Sequence, residues 1–125
     1  QMFYAHLSYR FHSQDPKSLD MLKVTKELQK AVSPYPYLEG TAVFANFGHL
    51  NGYSSMYYTY MWSLVLAKDM LTRFKREGLM SPQAALAYRK YVLEAGGTVD
   101  AARMVEQFLG RPYAFEAYQA WLQAK

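Results

Sequence analysis

Helix breakers, spaced along an otherwise apolar and aromatic chain, decide what this sequence can fold into. Ser33-Pro34-Tyr35-Pro36-Tyr37, Gly78, Ser81-Pro82, Gly96-Gly97 and Gly110-Arg111-Pro112 divide it into stretches whose apolar residues recur with helical period. Two prolines two residues apart cannot continue a helix, since each lacks an N–H and collides with the preceding turn. A glycine just past the last periodic residue stops one, and Ser-Pro starts one as N-cap and first helical position. The spacing predicts a first helix through Met2, Phe3, Tyr4, Leu7 and Phe11. A second is expected to open at Asp15-Pro16 and run through Leu19, Leu22 and Leu28 to Val32. The longest starts at Asn51 or Gly52 and runs to about Glu77, on the order of 37 Å at the helical rise. Further helices run from Ser81-Pro82 to about Glu94, from Asp100 to Leu109, and through Phe115, Tyr118 and Trp121 to the end. Residues 38–50 lack a clear period, and with Thr41–Phe47 short and β-permissive they are expected to form an ordered loop. The expected fold is all-α, a bundle of five or six helices with a long central helix, forming a single domain over residues 1–125.

The central position of the long helix follows from its first half, which is apolar or aromatic on nearly every face. Tyr58, Trp62 and Val65 fall opposite the stripe Tyr53, Tyr57, Tyr60 and Leu64, so both sides call for packing. A hydrophobic content of 51%, with twelve Tyr and seven Phe, excludes a disordered tail. Charged residues are only 19%, which leaves little polar cover and points to surface hidden by another domain or partner. The chain does not begin with Met and opens inside a periodic segment with no capping residue before it, so it is expected to be part of a longer polypeptide.

Several function classes are disfavoured. There is no cysteine, so disulfides and thiolate nucleophiles are out. No apolar run reaches the roughly 20 residues that span a bilayer, and no signal peptide precedes the first helix, so a soluble, cytoplasmic chain without membrane contact is expected. The net charge of +4 is spread over several helices without a groove-reading motif, which argues against nucleic acid as a partner. His6 and His12 lie six apart, on different helical faces, and neither has a carboxylate at ligand spacing, so no metal ligand is expected. No serine stands in a nucleophile elbow, and Gly96-Gly97 reads as a helix stop rather than a phosphate loop.

One stretch resists a purely structural account. From Phe47 to Trp62 the chain combines His49, Gly52 and the tyrosines 53, 57, 58 and 60. If the residues after Gly52 are helical, Tyr53, Tyr57 and Tyr60 follow an i, i+4, i+7 spacing on one face, with His49 on the turn ahead of them. Phenols with a reference pKa of about 10 stay protonated at neutral pH and can donate hydrogen bonds to a carbonyl or a developing oxyanion. Tyrosines at this spacing are also common core residues, and spacing alone favours that account.

The motifs Phe47-Gly48-His49-Leu50-Asn51-Gly52-Tyr53 and Tyr57-Tyr58-Thr59-Tyr60-Met61-Trp62 resemble the C-terminal region of the thimet oligopeptidase and oligopeptidase A family of zinc metallopeptidases. Phe74-Lys75-Arg76-Glu77-Gly78, Glu94-Ala95-Gly96-Gly97-Thr98-Val99-Asp100 and Phe108-Leu109-Gly110-Arg111-Pro112 follow the family's order and spacing, with looser agreement at Phe3-Tyr4-Ala5, Arg10-Phe11-His12 and Glu39-Gly40-Thr41. A single glycine, Gly52, precedes Tyr53 where the family usually has two. The resemblance implies a helical peptidase acting on short peptides, with this chain as its C-terminal fragment. Zinc would be bound in the full-length enzyme by an upstream region, which would be this chain's missing partner, and not by the fragment, which should be inactive alone. It also implies that His49, Gly52 and Tyr53 bind the substrate backbone while Tyr57 and Tyr60 act catalytically on the scissile carbonyl. The competing expectation is a non-enzymatic helical interaction module, or a homodimer of the fragment, joined through its aromatic face.

Overall fold

The computed structural model describes residues 1–124, which separate into two compact units, Gln1–Met61 and a second that begins at Trp62. Among the described residues there are seven α-helices and no strand: α1 Met2–Ser13, α2 Met21–Val32, α3 His49–Gly52, α4 Thr59–Glu77, α5 Pro82–Tyr88, α6 Ala101–Leu109 and α7 Glu116–Gln123. The all-α class is as expected, and the helix beyond the expected five or six is the single turn α3, inside the stretch read as a loop.

In the first unit, Phe3, Leu7 and Phe11 share one face of α1. Leu7 is fully buried with Val24 and Leu28 of α2, and Phe3, Phe11, Leu19, Phe44 and Phe47 pack around them. The start of α2 differs from the expectation. Asp15 makes a turn instead of a helix, its carboxylate accepting the Lys17 N–H at 3.0 Å and its carbonyl the Ser18 N–H at 3.1 Å. Asp20 is the actual N-cap, accepting from the Lys23 N–H at 2.9 Å. Leu19, one residue before that cap, joins the cluster that holds Val24, an arrangement that fixes the entry of the chain into the helix. Ser33 closes α2 ahead of the prolines. A 3₁₀ turn at Val43–Asn46 and α3 then occupy the supposed loop.

The long helix α4 also starts later than expected, at Thr59 instead of Asn51 or Gly52. Residues 53–58 run as turns, with i to i+3 bonds such as Met56 N–H to Tyr53 O at 3.0 Å, and Ser55 sits at φ 59° in the left-handed region. Serine and tyrosine are mediocre helix formers, and Ser54-Ser55 offer the backbone local hydrogen-bonding alternatives. The far end is as expected: α4 stops at Glu77, and Gly78 takes φ 103°.

In the second unit, Val105, Phe108 and Leu109 of α6 form the core with Met70 and Phe74 of α4 and Ala87, Tyr88, Tyr91 and Val92. Phe74, Tyr88 and Phe108 lie mutually within 5.5–5.9 Å between ring centroids. Ser81 caps α5 as predicted, and α5 passes into a π-helical turn, Arg89–Leu93, closed by Glu94 N–H to Arg89 O at 2.8 Å. Asp100 caps α6, and Gly110 ends it at φ 74°, a left-handed C-cap that suits glycine.

Candidate functional site

The first unit brings three of the tyrosines singled out in the sequence, Tyr53, Tyr57 and Tyr60, around His49. Its ring lies 5.6 Å from that of Tyr53, 5.1 Å from Tyr57 and 5.8 Å from Tyr60, centroid to centroid. Tyr57 and Tyr60 are 5.0 Å apart. The helical stripe invoked to align these tyrosines does not exist, since Tyr53 and Tyr57 precede α4 and only Tyr60 lies within it. The rings converge instead because α3 lifts His49 onto a short turn and the left-handed Ser55 folds the following segment back toward it. Convergence comes from side-chain packing about the imidazole, in tilted and edge-to-face contacts of the kind aromatic rings favour.

The rings are packed while their polar tips stay uncommitted. Tyr53 and Tyr60 are 57% and 55% exposed, and His49 and Tyr57 are half-buried. Among the described residues the hydroxyls of Tyr53, Tyr57 and Tyr60 and the ring nitrogens of His49 make no hydrogen bond. A buried tyrosine ordinarily finds a protein partner for its hydroxyl; on these exposed and half-buried rings the hydroxyls are left open to solvent or to a ligand. Burial pushes the Tyr57 phenol above its ordinary pKa, with the neighbouring phenols of Tyr60 and Tyr4 adding to the shift. It is held as a neutral donor.

Gly52 ends α3, exposed and without a left-handed φ, and a Cβ added there would meet nothing within 4 Å. Neither the backbone nor the packing of this unit demands glycine at that position. A cavity of about 590 Å³ is lined by Phe47, Gly48, Leu50 and Asn51, which flank His49 in sequence, together with Phe11 and Phe44. None of the three tyrosines lines it.

Two features escaped the sequence reading. Tyr4 of α1 joins the group, 4.9 Å from Phe47 and 5.7 Å from Tyr57; its aromatic character was the only available signal. In the second unit Asp69, buried in α4, accepts from both terminal nitrogens of Arg111 and from the Ala114 N–H at 2.7 Å. The Arg111 hydrogen bonds hold its carboxyl below the usual carboxylate range against the opposing effect of burial. A lone acid within the apolar run of α4 was the visible hint.

Chemically, the cluster offers hydrogen-bond donors around an imidazole and no nucleophile. Among the described residues no three His, Cys, Asp or Glu side chains come together as a metal site. His12 is committed elsewhere, its Nδ1 donating to the Ser8 carbonyl at 2.7 Å.

Known proteins are similar over most of the chain. The profile of peptidase family M3 matches residues 1–124. Oligopeptidase A of Escherichia coli (strain K12) is 26% identical over 121 residues, covering 94% of this chain and 18% of that protein. Mitochondrial intermediate peptidase of Homo sapiens is 31% identical over 109 residues, covering 87% of this chain and 15% of that protein. Mitochondrial intermediate peptidase 1 of Cryptococcus neoformans is 31% identical over 127 residues, covering 88% and 17%. The chain thus spans less than a fifth of the length of these curated relatives. With the family pattern matched from the first residue to the last described one, the chain belongs to peptidase family M3, a family of zinc metallopeptidases.

Proposed function

We propose that this chain forms the substrate-binding part of a zinc-dependent oligopeptidase that hydrolyses short peptides. The observation that carries the reading is the convergence of Tyr53, Tyr57 and Tyr60 on His49 with no hydrogen bond to their polar tips among the described residues, in a chain of family M3. His49 and Tyr53 hydrogen-bond the backbone of a bound peptide, and the open space at Gly52 lets that backbone approach α3. Tyr57 and Tyr60 donate to the scissile carbonyl oxygen as it gains negative charge and becomes tetrahedral. Donors fixed before the reaction lower the barrier because they need no reorganisation as the charge appears. The raised pKa of Tyr57 keeps its proton in place for this role.

The zinc ligands, and with them the activation of the water that attacks the peptide bond, are assigned in this proposal to a catalytic region outside this chain. On this proposal the chain alone is inactive.

The test is Tyr60→Phe in the complete peptidase that carries this chain. Loss of one oxyanion donor lowers kcat by about 10²-fold to 10³-fold, with KM changed far less. An unchanged kcat returns the tyrosines to packing. Robust hydrolysis of a quenched peptide by the isolated chain with zinc would overturn the division of labour.

A second reading, a non-enzymatic module that self-associates, is favoured by exposed apolar side chains, among them Met80 at 92% and Leu79 at 68%. Light scattering across concentration decides it, since a monomer at all concentrations removes the homodimer. The proposed compartment is the cytoplasm. No helix of the described residues is long and apolar enough to cross a membrane, and the relatives named for mitochondria make cell fractionation the check.

A further inference from the structure

We propose that Tyr4 is the positioning residue for Tyr57, fixing from α1 the orientation of a phenol that its own backbone cannot hold. The inference rests on the reading of Tyr57 as an oxyanion donor.

Tyr57 and Tyr60 are held in different ways. Tyr60 stands in α4, a helix of 19 residues whose hydrogen-bond ladder fixes its Cα–Cβ direction. Tyr57 lies in the turn segment before it, where bonds are of i to i+3 type and Ser55 is left-handed. Such a backbone fixes a side chain loosely, and the missing constraint has to come from the rings that touch it. Three rings form a closed triangle: Tyr4 to Phe47 at 4.9 Å, Phe47 to Tyr57 at 5.1 Å and Tyr4 to Tyr57 at 5.7 Å. One corner is rigidly mounted, because Tyr4 sits one turn before the fully buried Leu7 and beside Phe3, both part of the packing between α1 and α2. The position of Tyr57 is thereby referred to the core of the unit.

The Tyr4 ring is what matters for this role. Its hydroxyl makes no hydrogen bond among the described residues, so Tyr4→Phe keeps the contact and Tyr4→Ala removes it. A donor misplaced by a fraction of an ångström binds substrate nearly as before but stabilises the charge that develops in the transition state less well. The loss should therefore fall on kcat.

The experiment is a set of mutant cycles in the complete peptidase. Tyr4→Ala is expected to lower kcat about 10-fold with KM within about 2-fold, Tyr4→Leu to do the same while keeping the volume, and Tyr4→Phe to stay within about 2-fold of the parent. In a Tyr57→Phe background Tyr4→Ala should have no further effect, while in a Tyr60→Phe background its 10-fold loss should persist. An equal loss in both backgrounds marks general destabilisation and overturns the proposal, as does a wild-type kcat for Tyr4→Ala and Tyr4→Leu. If Tyr57→Phe itself leaves kcat unchanged, the oxyanion reading has failed, and the Tyr4 contact is then read from the ¹³Cζ resonance of Tyr57. Its titration midpoint falls in Tyr4→Ala if the contact holds the ring in its half-buried place, and an unmoved midpoint overturns the inference.

Discussion

Arg111 and Asp69 meet fork to fork, Nη1 to Oδ2 at 2.9 Å and Nη2 to Oδ1 at 2.6 Å, across 42 positions of sequence. The carboxylate is buried while the guanidinium is 42% exposed, so the two substitutions are not equivalent. Arg111→Ala leaves a buried charge with only the Ala114 N–H, and the second unit should lose about 3 kcal/mol, the lower end of the range for a broken buried pair. Arg111→Lys should recover only part of it, because an ammonium cannot reproduce the planar two-point contact. Urea denaturation measures both, and an Arg111→Ala loss under about 1 kcal/mol would mean that the pair is replaceable by solvent.

The same pair sets an acid limit. Asp69 is held below its unfolded value of about 3.9, chiefly by the Arg111 hydrogen bonds. Its contribution is fully present above about pH 4 and is lost as pH falls through the lower folded value, where the native carboxylate finally takes up a proton. Melting temperature followed from pH 6 to pH 2 should drop steeply below pH 4, and Asp69→Asn should flatten part of that slope. Glu77 supplies another part: although burial opposes it, hydrogen bonds from Arg76 and Arg73 bring its carboxyl down.

Ser55 holds a left-handed backbone at φ 59°, which costs a residue with a Cβ about 1–2 kcal/mol. Ser55→Gly should leave thermal stability within about 0.5 kcal/mol, the relief of strain offsetting the entropy of glycine. Ser55→Val should lose at least about 1 kcal/mol and disturb the rings beyond it, because a β-branched side chain tolerates this region poorly. Equal melting curves for the two variants would show that the turn does not depend on that conformation.

Ser8 is fully buried on α1, and its hydroxyl has no hydrogen-bond partner among the described residues. Removing an unsatisfied buried polar group is neutral or favourable, so Ser8→Ala should match or exceed the parent by up to about 1 kcal/mol. Clear destabilisation in a melting experiment would reveal a partner for the hydroxyl.

Helix ends were legible wherever chemistry at one residue decides them. Ser81-Pro82, Asp100, Gly78 and Gly110 each do in the structure what their type predicts. Two starts were misplaced because local candidates competed. Asp20 displaced Asp15 as the cap of α2 once Leu19 was drawn into the core. The run after Gly52 looked helical from its apolar period, but Ser55 and the rings around His49 turned it into a folded-back segment. The composition of the candidate site was therefore visible while its construction was not. Tyr4 and the Asp69–Arg111 pair lie beyond what periodicity can show, since each joins residues more than 40 positions apart.

The division of each tyrosine between a packed ring and an unpaired hydroxyl has an evolutionary consequence. Exchange of Tyr for Phe within this group removes no ring contact and strands no hydrogen-bond partner, so a lineage can delete or restore a donor without endangering the fold. Hydrogen-bonding capacity and structural integrity become separately heritable here. A relative of this chain stripped of these donors would remain well folded while differing from it by only a few oxygen atoms.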